Sequence, residues 1–133
     1  MSRLLVGAAV AAALGFALIT LANVVAIPST PLVDDNGDAS ILAVPLMLVR
    51  GTILLLVAPI ASGIAGGVVT GRFVGAIGSA AGFLIGAVAA AILQGAGTAD
   101  RPIADPMAGV FFVLIVMFGH VAGLAIRPRR VPA

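Results

Sequence analysis

A chain of 133 residues that is 62% hydrophobic and only 9% charged cannot clothe itself in water-facing groups, since soluble domains carry about 25% charged residues. A soluble bundle is thereby excluded, and most of the outer surface must meet lipid. The net charge of +2 comes from seven basic residues, all arginine, against five acidic ones, all aspartate, with no Trp or Tyr. That excludes nucleic acid, whose backbone calls for clustered cations and aromatic platforms.

Four stretches meet the requirement of roughly 20 apolar residues per crossing, and they place transmembrane helices at about 4–27, 48–70, 73–93 and 107–126. The first follows Arg3 and ends near the small-residue run Val24-Val25-Ala26, as a secretory signal would. Its apolar run exceeds the roughly 7–15 residues of a signal core, so it is read as a retained span. It carries a short stripe of small residues, Gly7, Ala11 and Gly15, and ends at Asn23. A polar loop follows, with Pro28 and Pro31, then Asp34, Asp35, Asn36, Gly37 and Asp38. Asn-Gly there is turn chemistry. The aspartates resemble the start of a calcium loop, but an EF-hand ends on a glutamate and this chain has none.

The second apolar stretch, within 41–70, is longer than a straight crossing needs and contains Pro45 and Pro59, which kink or end helices. Two readings stand: a tilted, kinked helix from Ile41 onward, or a crossing that begins at Gly51 with 41–49 in the outer interface. Arg50 is the residue that decides, because a charge near the bilayer centre costs at least about 2.5–3.5 kcal/mol. Either it snorkels to the outer headgroups and pairs with Asp34, Asp35 or Asp38, or it faces a water-filled cavity as an anion-attracting or gating group.

Glycine placement is the strongest pattern. Gly63, Gly67, Gly71 and Gly75 recur at intervals of four, and Gly78, Gly82 and Gly86 continue the spacing in the third span. Lipid tails are as apolar as Leu, so membrane helices associate through small residues that let backbones approach. With only Gly71 and Arg72 between spans two and three, the two glycine faces are expected to meet in a tight, glycine-zipper hairpin. Thr20, Thr52, Ser62 and Ser79 are expected to return their hydroxyls to the backbone. Gln94 closes the third span, and a second polar loop over 95–106 carries Asp100, Arg101 and Asp105.

The fourth span carries a Gly119–Gly123 pair and the only histidine, His120, which can hydrogen-bond a neighbour, relay protons or bind a ligand. Arg50, Gln94 and His120 are thus the candidate functional polar residues. Four crossings put Arg3, Arg72, Arg127, Arg129 and Arg130 on one side, and all five aspartates with Arg101 on the other. Because arginines near span ends stay cytoplasmic, both termini are expected inside the cell.

The segment 59–91 with its seven spaced glycines resembles small glycine-rich four-span membrane proteins of unknown function from archaea and bacteria. That resemblance implies a compact four-helix membrane bundle with no assigned activity. The expected fold is therefore all-α, a single four-transmembrane-helix bundle over residues 1–133 in a prokaryotic plasma membrane. No enzyme is expected, since His120 and the aspartates fall on opposite sides, and no cofactor or metal is expected either. The leading functional expectation is a structural or accessory protein, partnered by the bilayer, by its own copies or by other membrane subunits. The alternative is a small oligomeric channel or transporter for an ion or small solute.

Overall fold

A computed structural model of the chain describes residues 2–25, 43–94 and 106–127. The aspartate-bearing segments 26–42 and 95–105 and the C-terminal residues 128–133 lie outside the described residues, and with them the expected turn at Asn36-Gly37. Every described element is helical: α1 (Ser2–Val25), α2 (Ala43–Thr52), a π-helical turn (Ile53–Val57), α3 (Ala58–Thr70), α4 (Gly75–Leu93) and α5 (Pro106–Ile126). Four helical segments, Ser2–Val24, Val44–Thr70, Gly75–Leu93 and Met107–Ile126, are long and apolar enough to cross a membrane.

The second of these shows what two prolines do at different positions. Pro45 sits in the first turn of α2, where no N–H is needed, so it breaks nothing. Pro59 is the second residue of α3, and the turn before it widens: the Ala58 N–H reaches back five residues to the Ile53 carbonyl. A proline cannot donate to the carbonyl four residues earlier and its ring crowds that carbonyl, and a π-turn absorbs the misfit without ending the helix. The helix therefore runs from Ala43 through Arg50 and Gly51 to Thr70, and it does not start at Gly51.

Between α3 and α4 the chain reverses in four residues. Gly71 takes the left-handed conformation (φ 61°, ψ 21°) and its N–H caps the Gly67 carbonyl; only glycine does this without penalty. Bonds of Gly75 N–H to the Arg72 carbonyl and of Ala76 N–H to the Phe73 carbonyl close the turn.

The hairpin α3–α4 is flanked by α1 and α5, each of which packs against both of its helices, with α1 on α4 and α3 on α5 the most extensive pairs. The expected meeting of the two glycine faces is corrected here. A Cβ at Gly63 or Gly67 would collide with the Val116 or His120 carbonyl of α5, and Gly119 and Gly123 answer with the Ile60 and Ile64 carbonyls of α3. A Cβ at Gly82 or Gly86 would collide with the Ala8 or Ala12 carbonyl of α1. The hairpin's own seam is instead Gly66 against Ser79, with Gly75 against Thr70 nearer the turn. Gly66 lies about 100° around the helix from Gly67, so the seam that faces α4 turns the Gly63–Gly67 ridge sideways, onto α5. A Cβ at Gly78 would meet Ala8 and the Leu4 carbonyl of α1 only at 3.8 Å, an ordinary contact.

The interior is built from small residues around one ring. Ala11, Ala22, Ala58, Ala76, Ala80 and Ala90 are buried. Phe83 is the largest buried side chain; it stacks at a tilt on Phe112 (centroids 5.8 Å apart) and occupies the space left by Gly15. Large apolar side chains point the other way, with Ile77, Ile85, Leu93, Leu114 and Phe118 each more than 60% exposed.

Candidate functional site

The described polar side chains gather at two places, at opposite ends of the bundle. The first surrounds His120, which is completely buried. Its Nε2 lies 3.0 Å from the Arg72 carbonyl oxygen and 3.5 Å from Thr70 Oγ1, and its Nδ1 lies 2.9 Å from Ser79 Oγ. A carbonyl only accepts, so Nε2 carries a proton and donates it to Arg72; with one ring proton, Nδ1 then accepts from the Ser79 hydroxyl. That hydroxyl also lies 3.1 Å from the Gly75 carbonyl, so a single proton has two acceptors. Thr70 Oγ1 donates to the Gly66 carbonyl at 2.8 Å.

Each neighbour is placed by local structure. Arg72 offers its carbonyl because it lies in the turn just past the end of α3, with Gly71 capping that helix. Ser79 reaches the ring because Gly66 opposite has no Cβ to fill that space. The imidazole thus ties α5 to α3, to the turn and to α4 together. Ser79 and His120 each stand seven residues from an arginine, Arg72 and Arg127. That shared spacing from an end-marking arginine is the one sequence feature that groups them, and it does not say which helices meet.

The second place is Arg50, half-buried, whose guanidinium donates to the Asn23 side-chain oxygen at 2.5 Å. The Asn23 amide in turn donates to the Ile19 carbonyl at 3.0 Å. Arg50 therefore fastens α2 to the far end of α1. The aspartates considered as its partners lie outside the described residues. Gln94 is exposed, with its backbone N–H shared between the Ala90 and Ala91 carbonyls at the end of α4. Arg50, Gln94 and His120 are not brought together: His120 belongs to the end that holds Arg72, and Arg50 to the end where α1 finishes.

The hydroxyls divide unexpectedly. Thr52 and Ser79 do return to backbone carbonyls, Thr52 to Leu48 at 2.8 Å. The hydroxyl oxygens of Thr20 and Ser62 are buried with no hydrogen-bond partner. Two of the cavities that open on the surface are lined by these helices. One, of about 220 Å³, is lined by Ser2, Arg3, Leu4, Thr70 and Arg72. The other, of about 340 Å³, is apolar and lateral, beside the π-turn, between Met47, Leu48, Leu55, Leu56 and Phe111. Among the described residues no three His, Cys, Asp or Glu side chains converge as a metal site would require.

The class these features define is an all-helical bundle with four helices long and apolar enough to span a membrane and a polar clasp inside. No family model, no curated protein and no solved structure matches the chain.

Proposed function

We propose that the chain is a multi-pass integral protein of a prokaryotic plasma membrane, with both termini cytoplasmic, that works as a structural or accessory subunit by presenting its helix faces to further copies or to other membrane proteins. The observation that carries this reading is the distribution of size. The interior is mostly alanine and glycine, with Phe83, Val116 and the clasped His120 set among them, while most of the bulky apolar side chains face outward. In water that arrangement would expose too much hydrocarbon; in lipid it costs nothing, and close backbone packing at glycine supplies the cohesion.

Catalysis has little to work with, since the buried ring nitrogens of His120 are already engaged. Transport through a single chain is disfavoured for a related reason. Glycine contacts bring α3 onto α5 and α4 onto α1 at backbone distance, and Arg50 and His120 occupy opposite ends, whereas transport residues converge on a shared cavity.

Two measurements test the reading. Cross-linking followed by mass spectrometry in native membranes should recover a stable partner, either itself or another membrane protein. Liposomes containing the chain should leak ions and small solutes no faster than empty ones. Selective flux, abolished by Arg50→Leu or His120→Phe in a chain that still folds, would replace this reading with that of an oligomeric channel.

A further inference from the structure

We propose that the cavity between the start of α1 and the α3–α4 turn binds a phosphate group, of the kind carried by an anionic phospholipid headgroup. The headgroup as source rests on the membrane reading above; the phosphate chemistry does not.

The walls are Ser2, Arg3, Leu4, Thr70 and Arg72, around about 220 Å³. That is room for a phosphate and part of its glycerol, given about 30 Å³ for a water molecule. Two arginines and a serine therefore line one hollow, and planar guanidinium forks match phosphate oxygens better than any other side chain. The Thr70 hydroxyl proton is already given to the Gly66 carbonyl, so Thr70 shapes the floor and does not donate.

A third cation is held beside the first two. The Arg127 guanidinium lies directly over Gly71, where any Cβ would strike its Nη1 atom. The left-handed glycine thus does two jobs, reversing the chain and seating a guanidinium one residue from Arg72. The described residues include no carboxylate side chain at all, because all five aspartates fall in segments 26–42 and 95–105. Arg3, Arg72 and Arg127 lie at one end of the bundle, and their shared positive potential draws an anion placed among them. A basic hollow between helices at the headgroup level is where anionic lipids are held.

The floor of the hollow is also the edge of the buried clasp, since Thr70 Oγ1 lies 3.5 Å from His120 Nε2. An anion there fastens α1 to the turn that His120 holds, so occupancy should appear as stability.

The test uses the full chain in dodecyl maltoside. Three additions are compared by thermal unfolding: phosphatidylglycerol, phosphatidylcholine, and inorganic phosphate against chloride at equal ionic strength. Native mass spectrometry of the untreated protein reads which lipid stays bound. The expected result is retained anionic lipid and a rise in Tm with phosphatidylglycerol but not with phosphatidylcholine. A rise with millimolar inorganic phosphate as well supports the site and assigns its ligand to a free anion. Arg3→Gln with Arg72→Gln should weaken binding on the order of tenfold or more, whereas Arg129→Gln with Arg130→Gln, which removes equal charge, should not. Equal losses from the two double variants, or no Tm rise with either phosphate source, would overturn the proposal. Loss of the membrane reading would look different: the chain would then be recovered from water without detergent.

Discussion

Hydroxyls that look alike in a helical sequence are not alike once the helices are placed. Ser79 and Ser62 are both completely buried, yet Ser79 lies between the Gly75 carbonyl and the His120 ring while Ser62 has no partner. Removing a bonded buried group costs its bonds and strands its partner, whereas removing an unsatisfied one relieves a desolvation penalty. Ser79→Ala should therefore destabilise the bundle by about 0.5–1.5 kcal/mol, the range of such bonds between membrane helices, and Ser62→Ala should be neutral or stabilising by up to about 1 kcal/mol. His120→Ala removes the ring's bonds to the Arg72 carbonyl and the Ser79 hydroxyl and leaves a void where a fully buried side chain stood, and should cost about 2–5 kcal/mol. Unfolding of the purified chain in mixed micelles gives all three values. An equal response from the two serines would mean that the clasp does not form. The position of His120 in the last span was legible in the sequence; its partners were not, because a serine can always be satisfied by its own helix and nothing in the spacing says which neighbour helix comes within reach. At the other end, Arg50→Leu and Asn23→Ala should be non-additive by about 1 kcal/mol, with the double variant little worse than either single one, because each removes the same bond.

For whole helices, glycine spacing reveals which residues share a face and stays silent on which helix that face meets. The interval of four sets Gly63 with Gly67, and Gly82 with Gly86, on faces where an added Cβ would meet a neighbouring helix's backbone. Their destinations are set by Gly66 and Ser79, a pair that lies off both ridges and carries no periodic signal. Pro59 is expected to kink or end the helix; the chain runs on through a π-turn instead, which depends on how a continuous helix redistributes its bonds. The consequence is a graded series. Gly63→Ala, Gly67→Ala, Gly82→Ala and Gly86→Ala each drive a methyl group into a neighbouring backbone carbonyl. A backbone cannot step aside as a side chain can, so each should cost about 1–3 kcal/mol. Gly78→Ala, with 3.8 Å of clearance, and Gly51→Ala and Gly109→Ala, with nothing within 4 Å, should be tolerated or gain up to about 1 kcal/mol in helix propensity. Gly67→Leu and Gly82→Leu should likewise be worse than Leu54→Ala, in a half-buried position. Thermal stability in detergent ranks the set, and a Gly78→Ala variant as damaged as Gly82→Ala would contradict the looser approach of α1 at Gly78.

At the level of the whole molecule, the number of crossings and the placement of charge have to agree. Four membrane-length helices return the chain to the side from which it began, and Arg3, Arg72 and Arg127 do meet at one end, Arg3 and Arg72 across one hollow and Arg127 over Gly71. This much follows from composition, because charges too few to cover a globule mark the ends of its membrane segments instead. The side on which that end lies is a question of insertion, governed by the retention of arginine in the cytoplasm. The absence of cysteine from the chain makes the experiment direct, since any thiol introduced is the only one. Asn36→Cys, between the first two spans, should react in intact cells with a maleimide that cannot cross membranes. Ala133→Cys should react only after the cells are opened, and so should Ser2→Cys at the start of α1. Labelling of Ser2→Cys and Ala133→Cys under opposite conditions would mean an odd number of crossings. Labelling of both from outside would keep the four helices and invert the bundle, placing the arginine end against the external leaflet.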